Sequence, residues 1–168
     1  MKELWMEHQV GIKKVAVVCV LRCVDQFLLI KRKYPPHVGK YSPVGGKIGP
    51  YETPQEAVIR EVYEEVGVQL VEVKLAGILT ESSPTKYNWI LYVYVADVDF
   101  FEPPECREGA LKWVIWQELS PDVLPETDRF IYEYITGGQF FVFDAVYDQN
   151  VHMLRMREEI SGQVVFVS

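Results

Sequence analysis

The stretch Thr53–Gly67 leaves this chain the fewest conformational choices. Thr53 can accept a hydrogen bond from a free N–H at a helix start, and Pro54 takes the first helical position, where a missing N–H costs nothing. Glu56 completes a capping box with Thr53. Gly67 ends the helix as a residue able to adopt positive φ. The spacing therefore predicts a helix over Thr53–Val66. At ~100° per residue, Val58, Val62, Val66, Ile59 and Tyr63 share one broad arc that must face a core. Glu61, Glu64 and Glu65 gather on the far side, around the direction of Ala57.

Three acids on one helical face repel one another, by ~0.2–0.5 kcal/mol per close pair. Arg60 is the only cation within the helix and can reach Glu64 at i+4 or Glu56 at i−4. One explanation is a solvated acidic face. The other is a site for a hard divalent cation such as Mg²⁺, which takes oxygen ligands and keeps several waters for substrate phosphates. Just upstream, Gly45-Gly46-Lys47 reads as a turn. Without Cβ atoms the backbone can approach the acids closely, a glycine carbonyl can join a metal shell, and Lys47 offers positive charge to a phosphate.

Length and balance narrow the partners. A chain of 168 residues, 49% hydrophobic and 24% charged, suits one soluble domain with its own core. The formal net charge of −7 disfavours duplex nucleic acid, which needs a basic face. A small polyphosphate remains compatible, provided that cations offset the repulsion. Cys19, Cys23 and Cys106 match no zinc spacing and read as free thiols in a reducing compartment. The apolar run Val15–Leu21 is too short to span a bilayer, and a start containing Glu3 and Glu7 does not resemble a signal peptide. The expectation is a cytoplasmic protein with no membrane partner, a monomer or homodimer.

Strands are expected at Lys14–Leu21 and Gln26–Lys31, joined near Val24-Asp25, followed by a loop at Tyr34–Gly39 that its two prolines keep irregular. Further strands are expected at Val68–Thr80, bent or interrupted at Gly77, at Asn88–Val98 and at Leu111–Trp116. A second helix is expected over Glu126–Thr136. After Gln139, strands are expected at Phe140–Tyr147, Val151–Met156 and Val164–Val167. The whole chain, 1–168, is read as one domain with 139–168 a β-rich extension.

The segment Gly46-Lys47-Ile48-Gly49-Pro50-Tyr51-Glu52 … Arg60-Glu61-Val62-Tyr63-Glu64-Glu65-Val66-Gly67-Val68 resembles the signature of the Nudix hydrolases, G-x5-E-x7-R-E-U-x-E-E-x-G-U, at every constrained position. A looser resemblance extends from Lys13 to Gly138. It implies an α/β fold, an α/β/α sandwich around a mixed central sheet, and a Mg²⁺-dependent (or Mn²⁺-dependent) hydrolase of phosphoanhydride bonds in nucleotides. By position, Gly45 is similar to the carbonyl ligand, and Glu61, Glu64 and Glu65 to the metal carboxylates. Arg60 is similar to the residue that orients them, and Glu52 to a loop cap. Glu108 is similar to an additional loop carboxylate, a place for which Glu105 competes. Glu61 or Glu64 is the expected general base, with Glu61 preferred.

Arg32 and Lys33 either meet terminal phosphates or form an exposed strand-end charge pair. Lys40–Lys47, with Leu124-Pro125-Glu126-Thr127-Asp128, resembles the pocket segments of oxidised-purine nucleoside triphosphate diphosphatases, the MutT-like members. This places Tyr41, Ser42, Lys47, Glu126 and Asp128 among the substrate-binding candidates. Ser42 stands where those enzymes often have Asn, and Glu126-Thr127-Asp128 where some have adjacent aspartates. Trp113 and Tyr41 either stack on a base or belong to the core. A short chain, without the long N-terminal extension common in ADP-ribose members, favours triphosphates such as 8-oxo-dGTP or another purine nucleotide, cleaved to monophosphate and pyrophosphate. The alternatives are an ADP-ribose or dinucleoside polyphosphate pyrophosphatase, or a non-catalytic nucleotide sensor. A sensor commonly lacks motif glutamates, all of which are present here.

Overall fold

The computed structural model describes residues 11–168; the start read for leader character, with Glu3 and Glu7, lies outside the described residues. The elements are β1 (Lys14–Cys23), β2 (Gln26–Arg32), β3 (Tyr41–Ser42), β4 (Val44–Lys47), α1 (Pro54–Val66), β5 (Lys74–Ser82), β6 (Trp89–Asp97), β7 (Gly109–Val114), α2 (Asp128–Thr136), β8 (Phe141–Tyr147), β9 (Met153–Glu158) and β10 (Val164–Val167). They form one mixed sheet in the order β10-β9-β8-β5-β6-β1-β2-β3, with β4 also paired to β1 and β7 to β2. The β1–β6 and β5–β8 pairs are parallel.

Alternation along the strands divides the interior into two layers, as a period of two requires. Val17, Cys19 and Leu21 of β1, with Leu28 and Ile30 of β2, pack with Val58, Val62 and Val66 of α1. Val20, Phe27 and Leu29 turn to the other face and pack with Phe130, Ile131 and Ile135 of α2. One helix on each side of a mixed sheet makes the α/β/α sandwich.

Several sequence expectations need correction. Gly45-Gly46-Lys47 is strand rather than turn: β4 runs antiparallel to β1, with Gly46 opposite Val17 and Gly45 opposite Val18. A Cβ at Gly45 would collide with the Val17 carbonyl oxygen, so this strand position holds a glycine for closeness rather than for bending. The strand expected from Val68 begins only at Lys74, and its irregularity falls between Leu75 and Gly77. Tyr63 is exposed while Ala57 is buried. The buried arc of α1 is thus rotated towards the acids, and Glu61 and Glu65 lie at its edge instead of opposite it. The strands after Gln139 join the same sheet, and β8 carries Phe141, Phe143, Ala145 and Tyr147 into the α2-side core.

No disulfide forms among Cys19, Cys23 and Cys106. Among the described residues, no helix is long and apolar enough to cross a membrane.

Candidate active site

The cap of α1 sets the position of the acids. Thr53 Oγ1 accepts from the Glu56 N–H at 3.2 Å, and the Glu56 carboxylate accepts from the Thr53 N–H at 2.8 Å. Gly67 closes the helix at φ 76°, donating to the Tyr63 carbonyl. With its ends fixed, α1 lays Glu61 and Glu65 against the two glycines of β4. Glu65 Oε2 accepts from the Gly45 N–H at 3.0 Å. The Glu61 carboxyl lies where a Cβ on Gly46 would have to go. Glycine at 46 is therefore a condition for that carboxylate to rest on the strand.

Arg60 organises the outer side. Its Nε and Nη2 donate to the two oxygens of Glu52 at 2.7 and 3.0 Å. Its Nη1 donates to Glu61 at 2.7 Å and Glu64 at 3.3 Å, and its Nη2 also reaches the Lys47 carbonyl at 3.1 Å. Glu56, the i−4 partner considered from spacing, is spent on the helix cap. Glu52 also accepts from the Gly49 N–H at 2.7 Å. The bidentate guanidinium and this amide hold its carboxyl down at about 2.

Glu65 behaves in the opposite way. Burial pushes its carboxyl up to about 7; the Gly45 N–H works against that shift, and the nearby negative charges of Glu61 and Glu108 add to it. Arg60 is engaged with Glu52, Glu61 and Glu64, which leaves Glu65 short of positive charge.

These groups form one wall of a cleft of about 330 Å³. Of the residues expected to build the site, Arg32, Ser42, Gly45, Lys47, Glu61, Glu65, Glu108 and Asp128 line it. Glu108 faces the cleft and sits 3.7 Å from Arg32, whereas Glu105 lines a separate depression together with Lys33. Glu64 is the exposed acid of the three, its side chain 57% accessible. Tyr41 packs against the α2-side core, with the Lys31 ammonium over its ring. Glu126 is tied down by the Met153 N–H at 2.6 Å. Trp113 lies in the α1-side core, donating to the Phe101 carbonyl at 2.8 Å, on the core side of the two readings open to it. Ser42 Oγ is buried with no hydrogen-bond partner, in a residue that lines the cleft.

Thr127, from the pocket segment already singled out, lines the cleft too, as do Glu81, Tyr87, His37 and Trp89, which are not among the sequence candidates. For Glu81 a signal existed. Strand alternation from the buried Leu79 directs residue 81 to the same face, so a carboxylate there must either be satisfied or meet a ligand. Tyr87 follows an irregular turn whose hydrogen bonds, such as Ser83 Oγ to the Tyr87 carbonyl, no periodicity reveals.

Among the described residues, no three His, Cys, Asp or Glu side chains are gathered into a ready metal cage. The donor set nevertheless fits a hard divalent ion. Carboxylates of Glu61 and Glu65 lie against a Cβ-free strand in an anionic, partly desolvated cleft, and Mg²⁺ needs only one or two protein carboxylates because it retains waters and binds substrate phosphates.

Known proteins resemble this chain in sequence and in fold. The NUDIX domain model matches residues 12–135. The chain is 28% identical over 126 residues to a protein described as an uncharacterized Nudix hydrolase, YvcI, of Bacillus subtilis, covering 72% of this chain and 78% of that one. It is 32% identical over 107 residues to the RNA pyrophosphohydrolase of Sodalis glossinidius, covering 63% of this chain and 54%, about half, of that relative's length. The crystal structure of a MutT protein from Bacillus halodurans superposes with a TM-score of 0.75 at 23% identity, covering 88% of this chain and 98% of that one.

Proposed function

Because this chain belongs to the Nudix family and is a hydrolase of pyrophosphate-bonded substrates, we propose that it cleaves a purine nucleoside triphosphate to the monophosphate and pyrophosphate in a Mg²⁺-dependent reaction. The observation that carries this reading is the cleft itself. At one end are Gly45, Gly46, Glu61, Glu65, Glu108, Arg32 and Lys47, a set suited to metal and phosphate. Leu79, Leu91, Trp89 and Ile131 supply apolar and aromatic surface of the kind that takes a base.

The cation would be held by Glu61 and Glu65 with the Gly45 carbonyl, with Glu108 and the outer Glu64 as further carboxylates. The chemistry that Mg²⁺ (or Mn²⁺ in its place) would supply there is charge neutralisation at the anhydride and a lower pKa for water. The chain's own residues do the rest. Arg60 fixes Glu61 Oε1 at 2.7 Å, and Glu61 Oε2, turned to the cation, also takes the proton of the attacking water. Arg32 and Lys47 bring positive charge to the terminal phosphates. Ser42 Oγ has unspent hydrogen-bonding capacity for the nucleoside.

The test is a panel of oxidised dGTP, dGTP, ADP-ribose and a diadenosine polyphosphate with Mg²⁺, followed by product analysis. Monophosphate and pyrophosphate released fastest from a purine triphosphate would support the proposal. Preferential release of AMP and ribose 5-phosphate from ADP-ribose would replace it, and tight binding without turnover across the panel would refute it.

A further inference from the structure

Away from the metal-facing wall, two carboxylates that the proposed chemistry does not use share one corner of the cleft. Glu81 is 4% exposed and Asp128 8%, yet both line it. Every hydroxyl around them is already aimed at a carboxyl oxygen. Tyr147 donates to Glu81 Oε1 at 2.7 Å, and Tyr87 reaches Oε1 and Oε2 at 3.1 and 3.0 Å. Tyr132 donates to Asp128 Oδ2 at 3.1 Å, and Thr127 approaches Oδ1 at 3.5 Å. The His37 ring faces the Tyr87 hydroxyl at 3.1 Å. The corner has therefore spent its side-chain O–H donors, while each carboxylate can accept more bonds than it receives. Leu79, Leu91 and Ile131 give the same end of the cleft an apolar wall that suits a flat ring.

From this geometry, and resting on the nucleotide reading above, we infer that Glu81, clamped by Tyr87 and Tyr147 and assisted by Asp128, is a specificity-determining residue. It selects a base whose edge presents adjacent N–H donors, the 2-amino-6-oxopurine edge of a guanine-type nucleotide. Guanine offers a ring N–H beside an exocyclic amino group, both of which an acceptor-rich corner can satisfy. Hypoxanthine keeps only the ring N–H. Adenine places a bare ring nitrogen, itself an acceptor, against a carboxylate, and an unpaired polar contact of that kind is what makes hydrogen-bonding sites discriminate strongly. Burial raises both carboxyls above their usual range; N–H donors from a guanine edge favour the ionised, acceptor-only form and so offset that desolvation cost.

The experiment compares GTP, ITP and ATP as substrates and, separately, GMP, IMP and AMP as ligands by calorimetry, for the wild type, Glu81→Gln and Tyr147→Phe. The wild type should favour guanine over hypoxanthine over adenine in both series, by at least about tenfold between guanine and adenine. Glu81→Gln should raise KM for GTP about tenfold or more with kcat little changed, and should narrow the ratio of GMP to AMP affinity. Tyr147→Phe removes one buried O–H from Glu81 without touching the cleft, and should lower Tm while keeping the preference. If Glu81 only anchors its two tyrosines, both variants will lower Tm and neither will change base preference; that result overturns the inference. Base-independent turnover by the wild type also overturns it and leaves the triphosphate reading intact. Glu81-dependent guanine binding without turnover of any triphosphate supports the inference while removing the catalytic reading.

Discussion

The two acidic ends of the cleft handle negative charge in opposite ways. At α1, one guanidinium serves three carboxylates in partly open surroundings, and Glu52 is held at about 2. At the Glu81–Asp128 end the hydrogen-bonding partners are neutral hydroxyls, burial outweighs the more distant Lys13 and Lys40 charges, and both carboxyls are raised. Loss of water and the kind of partner weigh most in the protonation, and neighbouring acids such as Glu81 beside Asp128 add to the rise. Glu65 shows the same rule within the first end: Arg60 is engaged with Glu52, Glu61 and Glu64, so burial prevails and the carboxyl rises to about 7. A site arranged in this way suits a cation at one end and hydrogen-bond donors at the other.

The sharpest way to break the comparison is to neutralise the first end. Glu65→Gln or Glu61→Gln should lower kcat for Mg²⁺-dependent pyrophosphate release by about two to three orders of magnitude, with an unchanged circular dichroism spectrum. Full activity in both variants would contradict the role given to that wall. Arg60→Lys should reduce activity nearly as much as Arg60→Ala. A single ammonium cannot reproduce the two-pronged grip on Glu52 while also holding Glu61.

The adjacent glycines allow a finer cut. A Cβ at Gly45 meets backbone atoms of Val17 and Val18, whereas a Cβ at Gly46 meets only the movable Glu61 carboxyl. Gly45→Ala should therefore cost about 1–3 kcal/mol of stability in urea unfolding. Gly46→Ala should unfold near the wild-type midpoint but lose activity, about tenfold in kcat/KM, through displacement of Glu61. Equal loss of stability in the two would show that α1 cannot yield at that contact.

The second end is probed by pH. The folded-state value for Asp128, about 7, lies above its ordinary 3.8, so the folded protein binds the proton more tightly than the unfolded chain. Stability must then fall as pH rises from about 4 to about 7 and level off above, with Glu81 contributing in the same direction. Asp128→Asn should flatten this slope by as much as a few kcal/mol over the window, read from denaturant midpoints between pH 4 and 8. An unchanged slope would show that Asp128 ionises freely. The smallest effect belongs to the helix cap, where Thr53→Ala should cost about 1 kcal/mol and leave base preference untouched.

How much of this was legible depends on whether the controlling interaction is local. The cap at Thr53, the stop at Gly67 and the acids of α1 are fixed by neighbours within a few residues, and the sequence displays them directly. The direction in which those acids point is not local. Ala57 is drawn into the core and Tyr63 is left out because α1 settles on Val17, Leu21 and Val44, which rotates Glu61 and Glu65 inward. Gly45-Gly46 read as a turn because glycine pairs usually are turns; its strand character comes from pairing with β1, far away in sequence. Glu81 joins Tyr147 across 66 residues, a contact that exists only because β5 and β8 run side by side.

The central claim is that Glu61 and Glu65, set against Gly45 and Gly46, hold a divalent ion beside a polyphosphate. It is tested most directly by titrating Mn²⁺ into the protein with a non-hydrolysable nucleoside triphosphate analogue and following the ion by electron paramagnetic resonance. The account predicts saturable Mn²⁺ binding that Mg²⁺ competes away and that weakens at least about tenfold in the Glu61→Gln, Glu65→Gln double variant. Wild type and double variant binding the ion equally well, or neither binding it, would contradict the account.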